Sequence, residues 1–224
     1  FAPIPLAGDN TAWSFVVPQS VKLMADAVVK DIKAKKFKTI GMIGFSDPWG
    51  EQWYDALSKG LEGSGTKIVA NEKYGRADTS VTGQVLKLVS ANPEAILIAG
   101  SGTGAALPQT ALADRGYKGQ VYQTHGAGSS DFLRIAGKSA EGTILPIGPV
   151  LVPRQLPDSH PSKKVVQEFV KSYQAKFGDK SPVVFGAHSY DAMLILDKAV
   201  PVAKKKAKPG TPEIWLATPS RCSS

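Results

Sequence analysis

KFKTIGMIGFSDPWGEQW, residues Lys36–Trp53, decides the fold class of this chain. Its middle, Thr39–Phe45, is a short apolar run with no polar alternation, as expected of a strand buried on both faces in a parallel sheet. The turn SDPWG follows, and Trp53, Leu57 and Leu61 then recur at helical spacing. A continuous apolar strand, a tight turn and an amphipathic helix make one β-α unit. Upstream, Val21, Met24, Ala25, Val28 and Ile32 mark the inner face of a helix that closes in lysines, which suit a helix C-terminus.

Downstream the unit repeats. Lys67–Tyr74 reads as a strand, Val81, Val85, Leu88 and Val89 as a helix face capped from Asp78, Thr79 or Ser80, and Ala95–Gly100 as a second apolar strand. A helix over Ala105–Arg115, the strand QVYQT, a helix over Ser130–Ala136 and the strand GTILPIG complete the series. The expectation is an α/β fold with a doubly wound parallel sheet and helices on both faces, its complete lobe covering 18–147. From Pro146 to Pro161 the chain is Pro-rich and reads as a crossing segment. Helices built on Val166, Phe169, Val170, Tyr173 and Phe177, then on Tyr190, Met193, Leu194 and Val200, have no strands of their own. They are read, with residues 1–17, as pieces of a second lobe over 148–205, before a divergent tail at 206–224.

With 224 residues, 42% hydrophobic and 21% charged, the composition is that of a folded globular chain. The formal charge of +8 raises nucleic acid as a partner, but the lysines lie in helix-surface runs without interleaved aromatics, so a solvated basic face is the reading. The single cysteine, Cys222, provides neither a disulfide framework nor a CxxC metal site. No apolar run approaches the length of a membrane span.

No nucleophile or metal constellation is visible. His125, His160 and His188 lack Cys or acidic partners at ligand spacing, and neither H-E-x-x-H nor G-x-S-x-G occurs. His160 falls in a loop, His188 just ahead of the helix near Tyr190, and Asp47 in a turn where it organises the backbone. AGSGTGA places Gly100, Gly102 and Ala105 in a G-x-G-x-x-G/A pattern, so a nucleotide- or NAD-dependent enzyme is the alternative from another class. Against it, GQVYQTHG offers no acid at the next strand end to hold a ribose. No metal, no cofactor and no catalysis are expected.

In an open parallel sheet, ligands bind outside the carboxyl ends of the strands, near the point where strand order reverses. For the order 2-1-3-4-5, the loops Ser46–Gly50, Gly100–Gly104 and Thr124–Ser129 share that space. They bring together Trp49, Ser101, Gly102, Thr103 and His125, and helix N-termini there favour an anionic group.

GFSDPWGEQW, SGTGAAL, DFLRIAGKSAEGTI, FVKSYQAKFG and HSYDAMLILDKAV, in this order and spacing, resemble the leucine/isoleucine/valine-binding type of periplasmic solute-binding protein. The resemblance implies a type I fold of two α/β lobes closing on a solute, with one lobe incomplete and the chain shorter than the family at its N-terminus. It implies a periplasmic protein that delivers amino acids or related small acids to the permease and ATPase of an ABC importer. By position, Trp49 stands where the family places an aromatic over the ligand, and Gly102 or Thr103 near another aromatic contact. His125 stands where amino-acid binders carry a Glu for the ligand ammonium, and Leu6 where a Thr assists it. Both changes remove acceptors for a cation, so the expected ligand is a small carboxylate without an α-amino group, such as a keto or aromatic acid. A ligand-sensing receptor module shares the same fold. Self-association through the incomplete lobe is also expected, since apolar surface there would lack cover.

Overall fold

In the computed structural model, the described residues are 16–178 and 183–207. They form two units: one holds residues 19–167, the other residues 16–18 and everything described from Glu168 onward. The first unit includes the Pro-rich segment 146–161.

The first unit is a four-stranded parallel sheet of order β2-β1-β3-β4, built from β1 (Thr39–Phe45), β2 (Lys67–Tyr74), β3 (Ala95–Ala99) and β4 (Gln120–Gln123). Around it lie α1 (Val21–Ala34), α2 (Pro48–Leu61), α3 (Thr82–Ser90), α4 (Ala106–Asp114) and the short α5 (Ser130–Ala136). The registers Gly41↔Ile96 and Ala95↔Gln120 keep the strand starts level, so every βα loop emerges at one end. β1 and β3 are central and buried along almost their whole length, which accounts for their unbroken apolar sequences. The edge strand β2 alternates exposed and half-buried residues.

Helix boundaries follow local chemistry. Ser20 caps α1, accepting from the Leu23 N–H at 3.2 Å, and Asp47 caps α2 ahead of Pro48 in the first turn. Val81, which brings no side-chain cap, precedes α3, whereas Asp78 accepts from Gly75 N–H at 2.8 Å and closes its own loop. The Asp78 part of the capping expectation is therefore corrected: its carboxylate is held by the nearer backbone donor. Trp53, Leu57 and Leu88 are fully buried against Ile40, Ile43, Ile96 and Ile98. Each such side chain contributes about 1.5–3 kcal/mol by leaving water.

The fifth strand is reduced to a single parallel bridge, Tyr122↔Ile144. Gln123 N–H donates to Ile144 O at 2.9 Å and Ile144 N–H to Val121 O at 3.1 Å. Pro146, two residues on, has no N–H with which to continue a ladder.

The second unit, taken by itself, contains α6 from Glu168 to Phe177 (the helix starts at Lys163) and α7 (Val183–Lys206). Phe169 packs on Tyr173 and Tyr190, with ring centroids 5.5 and 4.9 Å apart. α7 begins before His188, which therefore sits inside the helix instead of ahead of it. Burial holds its imidazole below the ordinary histidine range, with Asp191 opposing. Phe185, Met193, Ile195 and Leu196 on α7 are exposed.

One long-range polar contact ties α1 to the sheet. Tyr122 is buried, yet its hydroxyl donates to Asp31 Oδ2 at 2.5 Å, and Lys35 Nζ lies 3.0 Å from the same oxygen. The Tyr122 hydrogen bond, opposed by desolvation and aided by Lys35, holds the Asp31 carboxyl below its usual value. A carboxylate depressed in the folded state stabilises it above the unfolded pKa, near 4, and that contribution is lost as pH falls through the folded value. Tyr122→Phe should therefore be less stable than the parent in urea at about pH 6, and the gap should shrink by about pH 2.5. A gap unchanged between these values would separate Asp31 from Tyr122.

Candidate functional site

At the carboxyl ends of the strands the loops converge on the Gly100 carbonyl. Trp49 Nε1–H donates to it at 3.3 Å from the first turn of α2, and Thr124 Oγ1–H donates at 2.7 Å from the end of β4. Thr124 Oγ1 also accepts from Gly126 N–H at 3.2 Å, which sets the short helical turn His125–Ala127. His125, half-buried, lies with its ring centroid 5.1 Å from Trp49 and 6.0 Å from Trp53.

The sequence-based site residues are thus partly brought together. Trp49, Ser101, Gly102 and His125 share this end of the sheet; Thr103 is exposed on the same loop. Trp49 is only 4% exposed, so its indole forms the floor between the Gly100 loop, His125 and Trp53. Leu6 lies outside the described residues. The glycines of AGSGTGA have local reasons. A Cβ on Gly100 would stand 2.6 Å from the Tyr74 hydroxyl, and Gly102 has φ +53°, a left-handed conformation that favours glycine. A turn of 3-10 helix, Gly102–Ala105, intervenes before α4, unlike the direct strand-to-helix turn of a dinucleotide site.

Arg76, which the sequence reading passed over, completes the rim. It follows β2 inside GRADTS, a string that reads as an ordinary polar turn. Its Nε–H donates to Asp47 Oδ2 at 2.6 Å and its NH1 to Ser101 Oγ at 3.4 Å, while the guanidinium stands 4.2 Å from the Phe45 ring centroid. Asp47 uses its other oxygen to accept from the Trp49 and Gly50 N–H groups at 2.9 and 3.3 Å. A guanidinium has five N–H donors, and those of Arg76 beyond these two contacts have no hydrogen-bond partner among the described residues. The signal that could have found it is position: Arg76 lies just past the carboxyl end of β2, next to β1, whose own loop borders the switch point between β1 and β3. Tyr74, beneath it, donates its hydroxyl to Gly104 O at 3.0 Å, and burial raises its pKa, so the phenol remains a neutral donor.

Elsewhere, His160 accepts from Ser162 N–H at 3.2 Å through Nδ1 and organises the turn into α6. No group of His, Cys, Asp and Glu side chains suited to hold a metal occurs among the described residues. A groove of about 610 Å³ lies at the opposite end of the sheet, lined by Glu94, Tyr117, Lys118 and Gln120. It is remote from Arg76 and His125.

A sheet of this order with a polar and aromatic rim at the switch point has the architecture of a binding lobe. The periplasmic binding protein family model matches residues 6–213, and the chain belongs to that family. A structure from Rhodopseudomonas palustris (strain CGA009) is 51% identical with a TM-score of 0.89, over 97% of this chain and 61% of that one. An extracellular ligand-binding receptor from Rhodopseudomonas palustris HaA2 is 50% identical with a TM-score of 0.88, over 96% and 60%. The Leu/Ile/Val-binding protein homolog 3 of Brucella melitensis biotype 1 is 27% identical over 126 residues, 56% of this chain and 33% of the relative. The chain therefore spans about 60% of the length of the similar solved structures.

Thr124→Val keeps the side-chain volume and removes both hydroxyl bonds. It should lower stability by about 1–3 kcal/mol, measured by chemical denaturation, and should shift the fluorescence of Trp49. Parent stability with an unchanged spectrum would detach Thr124 from the Gly100 loop.

Proposed function

We propose that this chain is the ligand-recognising part of an extracytoplasmic solute-binding protein that delivers a small carboxylate to an ABC importer, and that it performs no chemistry. The observation that carries this reading is the Arg76 guanidinium at the carboxyl end of the sheet, in reach of Ser101 and bordered by the Gly100 loop. An arginine fork is suited to a carboxylate, which accepts two parallel N–H bonds. His125 adds an imidazole N–H donor for a second ligand oxygen, over the floor made by Trp49. Ser101, Gly102 and Thr103 supply hydroxyl and backbone groups at the same rim, and Leu6, by the family resemblance alone, takes the place of a Thr that would assist an ammonium. None of these groups is a carboxylate that would pair with an α-ammonium, and the carboxylate of Asp47 at the same rim is engaged by Arg76, which favours keto or aromatic acids over amino acids. The periplasm, and the permease and ATPase of a cognate importer, are the setting this reading requires.

Titration calorimetry with benzoate, a phenyl keto acid and leucine tests the assignment. The acids should bind more tightly than leucine, and Arg76→Gln should weaken them by about tenfold to a hundredfold, as for loss of a charge-assisted hydrogen bond. Tighter binding of leucine, together with acid affinities unchanged in Arg76→Gln and His125→Ala, would sink it.

We further propose self-association through the second unit. Met193 is 63% exposed and Phe185 62%, and other apolar side chains of α7 accompany them. An apolar surface of this kind favours a partner. Sedimentation equilibrium should give a mass that rises with concentration, and Met193→Glu with Phe185→Glu should suppress the rise. A monomer throughout would refute it.

A further inference from the structure

The two ends of the first unit differ in how their charges are arranged. At the end that carries the candidate ligand site, Lys22 pairs with Asp26, Lys73 with Glu51, Arg76 with Asp47 and Arg134 with Asp131. At the opposite end, where helices finish and strands begin, Lys35 pairs with Asp31, and Lys87 in the last turn of α3 pairs with Glu72. Lys33, Lys36 and Lys38 around the start of β1, Lys59 and Lys67 around the start of β2, and Arg115 and Lys118 before β4 are all exposed, and none forms an ion pair among the described residues.

The fold makes these cations one surface. Lys67 N–H donates to Lys38 O at 2.8 Å, Glu94 N–H to Thr39 O at 3.0 Å and Gln120 N–H to Glu94 O at 3.0 Å, so the strand starts stand side by side. Lys35 Nζ crosses to Gln120 Oε1 at 3.2 Å. The acids present are outnumbered and partly engaged: Asp31 by Tyr122 and Lys35, Glu94 by the backbone N–H groups of Lys38 and Thr39, leaving Glu62, Asp114 and Glu141. Lys33 and Lys59 lie in the last turns of α1 and α2, where cations offset the helix dipole. Lys36, Lys38, Lys67 and Lys118 lie outside helices and have no such structural duty.

We infer that this lysine-rich end is a docking face for an anionic lipid bilayer. Six of these seven unpaired cations are lysines, point charges that answer a diffuse field of headgroups, and only Arg115 offers a fork; no exposed aromatic ring of the kind that reads nucleic acid accompanies them among the described residues. The nearby aromatics are engaged in the fold: Tyr117 donates its hydroxyl to Pro93 O at 2.9 Å, and Phe37 packs against the core. Docking by this end would leave the Arg76 and His125 end of the sheet uncovered by the headgroups. The inference stands independently of which solute, if any, binds there.

Vesicle sedimentation with the whole chain tests it, using phosphatidylcholine with about 30% phosphatidylglycerol against phosphatidylcholine alone, at about 50 and about 300 mM salt. Binding should require phosphatidylglycerol and fall with salt. Lys33→Glu, Lys67→Glu and Lys118→Glu combined should cut partitioning at least about tenfold. Lys171→Glu, Lys176→Glu and Lys198→Glu, with the same change in net charge on α6 and α7, should cut it less than about twofold. The corresponding glutamine variants repeat the comparison should charge reversal prevent folding. Equal loss in both sets would reduce the effect to net charge and overturn the inference. So would binding to phosphatidylcholine alone, or tighter binding to duplex DNA than to vesicles.

Discussion

One carbonyl oxygen holds the business end of this protein together. The Gly100 C=O stands at the end of β3, where the ladder can no longer satisfy it, and two side chains from distant parts of the chain take over. An unpaired buried carbonyl is costly, so these donors do more than decorate a loop. They fix α2 through Trp49 and the end of β4 through Thr124 to the same point. The spacing of His125, Ser101 and Arg76 then follows from backbone positions set by the sheet.

Against that rigid base, charge is distributed unevenly. Where the loops meet, cations are matched by carboxylates, and the field there is local and directional. At the far end the lysines are largely unmatched, and their field extends outward over a Debye length. A binding lobe gains from both arrangements. Discrimination needs short, geometrically defined contacts, whereas attachment to a surface needs only summed charge.

Much of the fold was legible because buried parallel strands leave a plain mark: TIGMIGF and AILIA contain no polar residue that could face water, apart from Thr39 at the strand start. The strand order was only assumed, and the observed order β2-β1-β3-β4 agrees with the first four strands of that assumption. GTILPIG misled because its composition is strand-like, while Pro146 removes a ladder donor that composition does not weigh. His188 was placed ahead of its helix because the apolar spacing becomes regular only from Tyr190. Arg76 was invisible for another reason. Its role depends on Asp47 and Ser101, which are distant in sequence and meet it only after β2, β1 and β3 align. Trp49 was placed at this end of the sheet from the sequence, whereas neither its burial nor its bond to Gly100 has a signature in the string SDPWG.

Asp47 serves two masters with its two oxygens, one closing the first turn of α2 and the other steering Arg76. Most exchanges of the whole residue alter both roles at once. Glutamate would reach too far to cap, and alanine would forfeit both roles. Asparagine, serine and threonine keep a capping oxygen while withdrawing the negative charge, asparagine with the least change of shape, so these are the steps by which a lineage could retune the rim without unpicking the helix. Solute preference in relatives of this chain is therefore expected to drift through Arg76 and Ser101, with position 47 lagging behind as a brake on change.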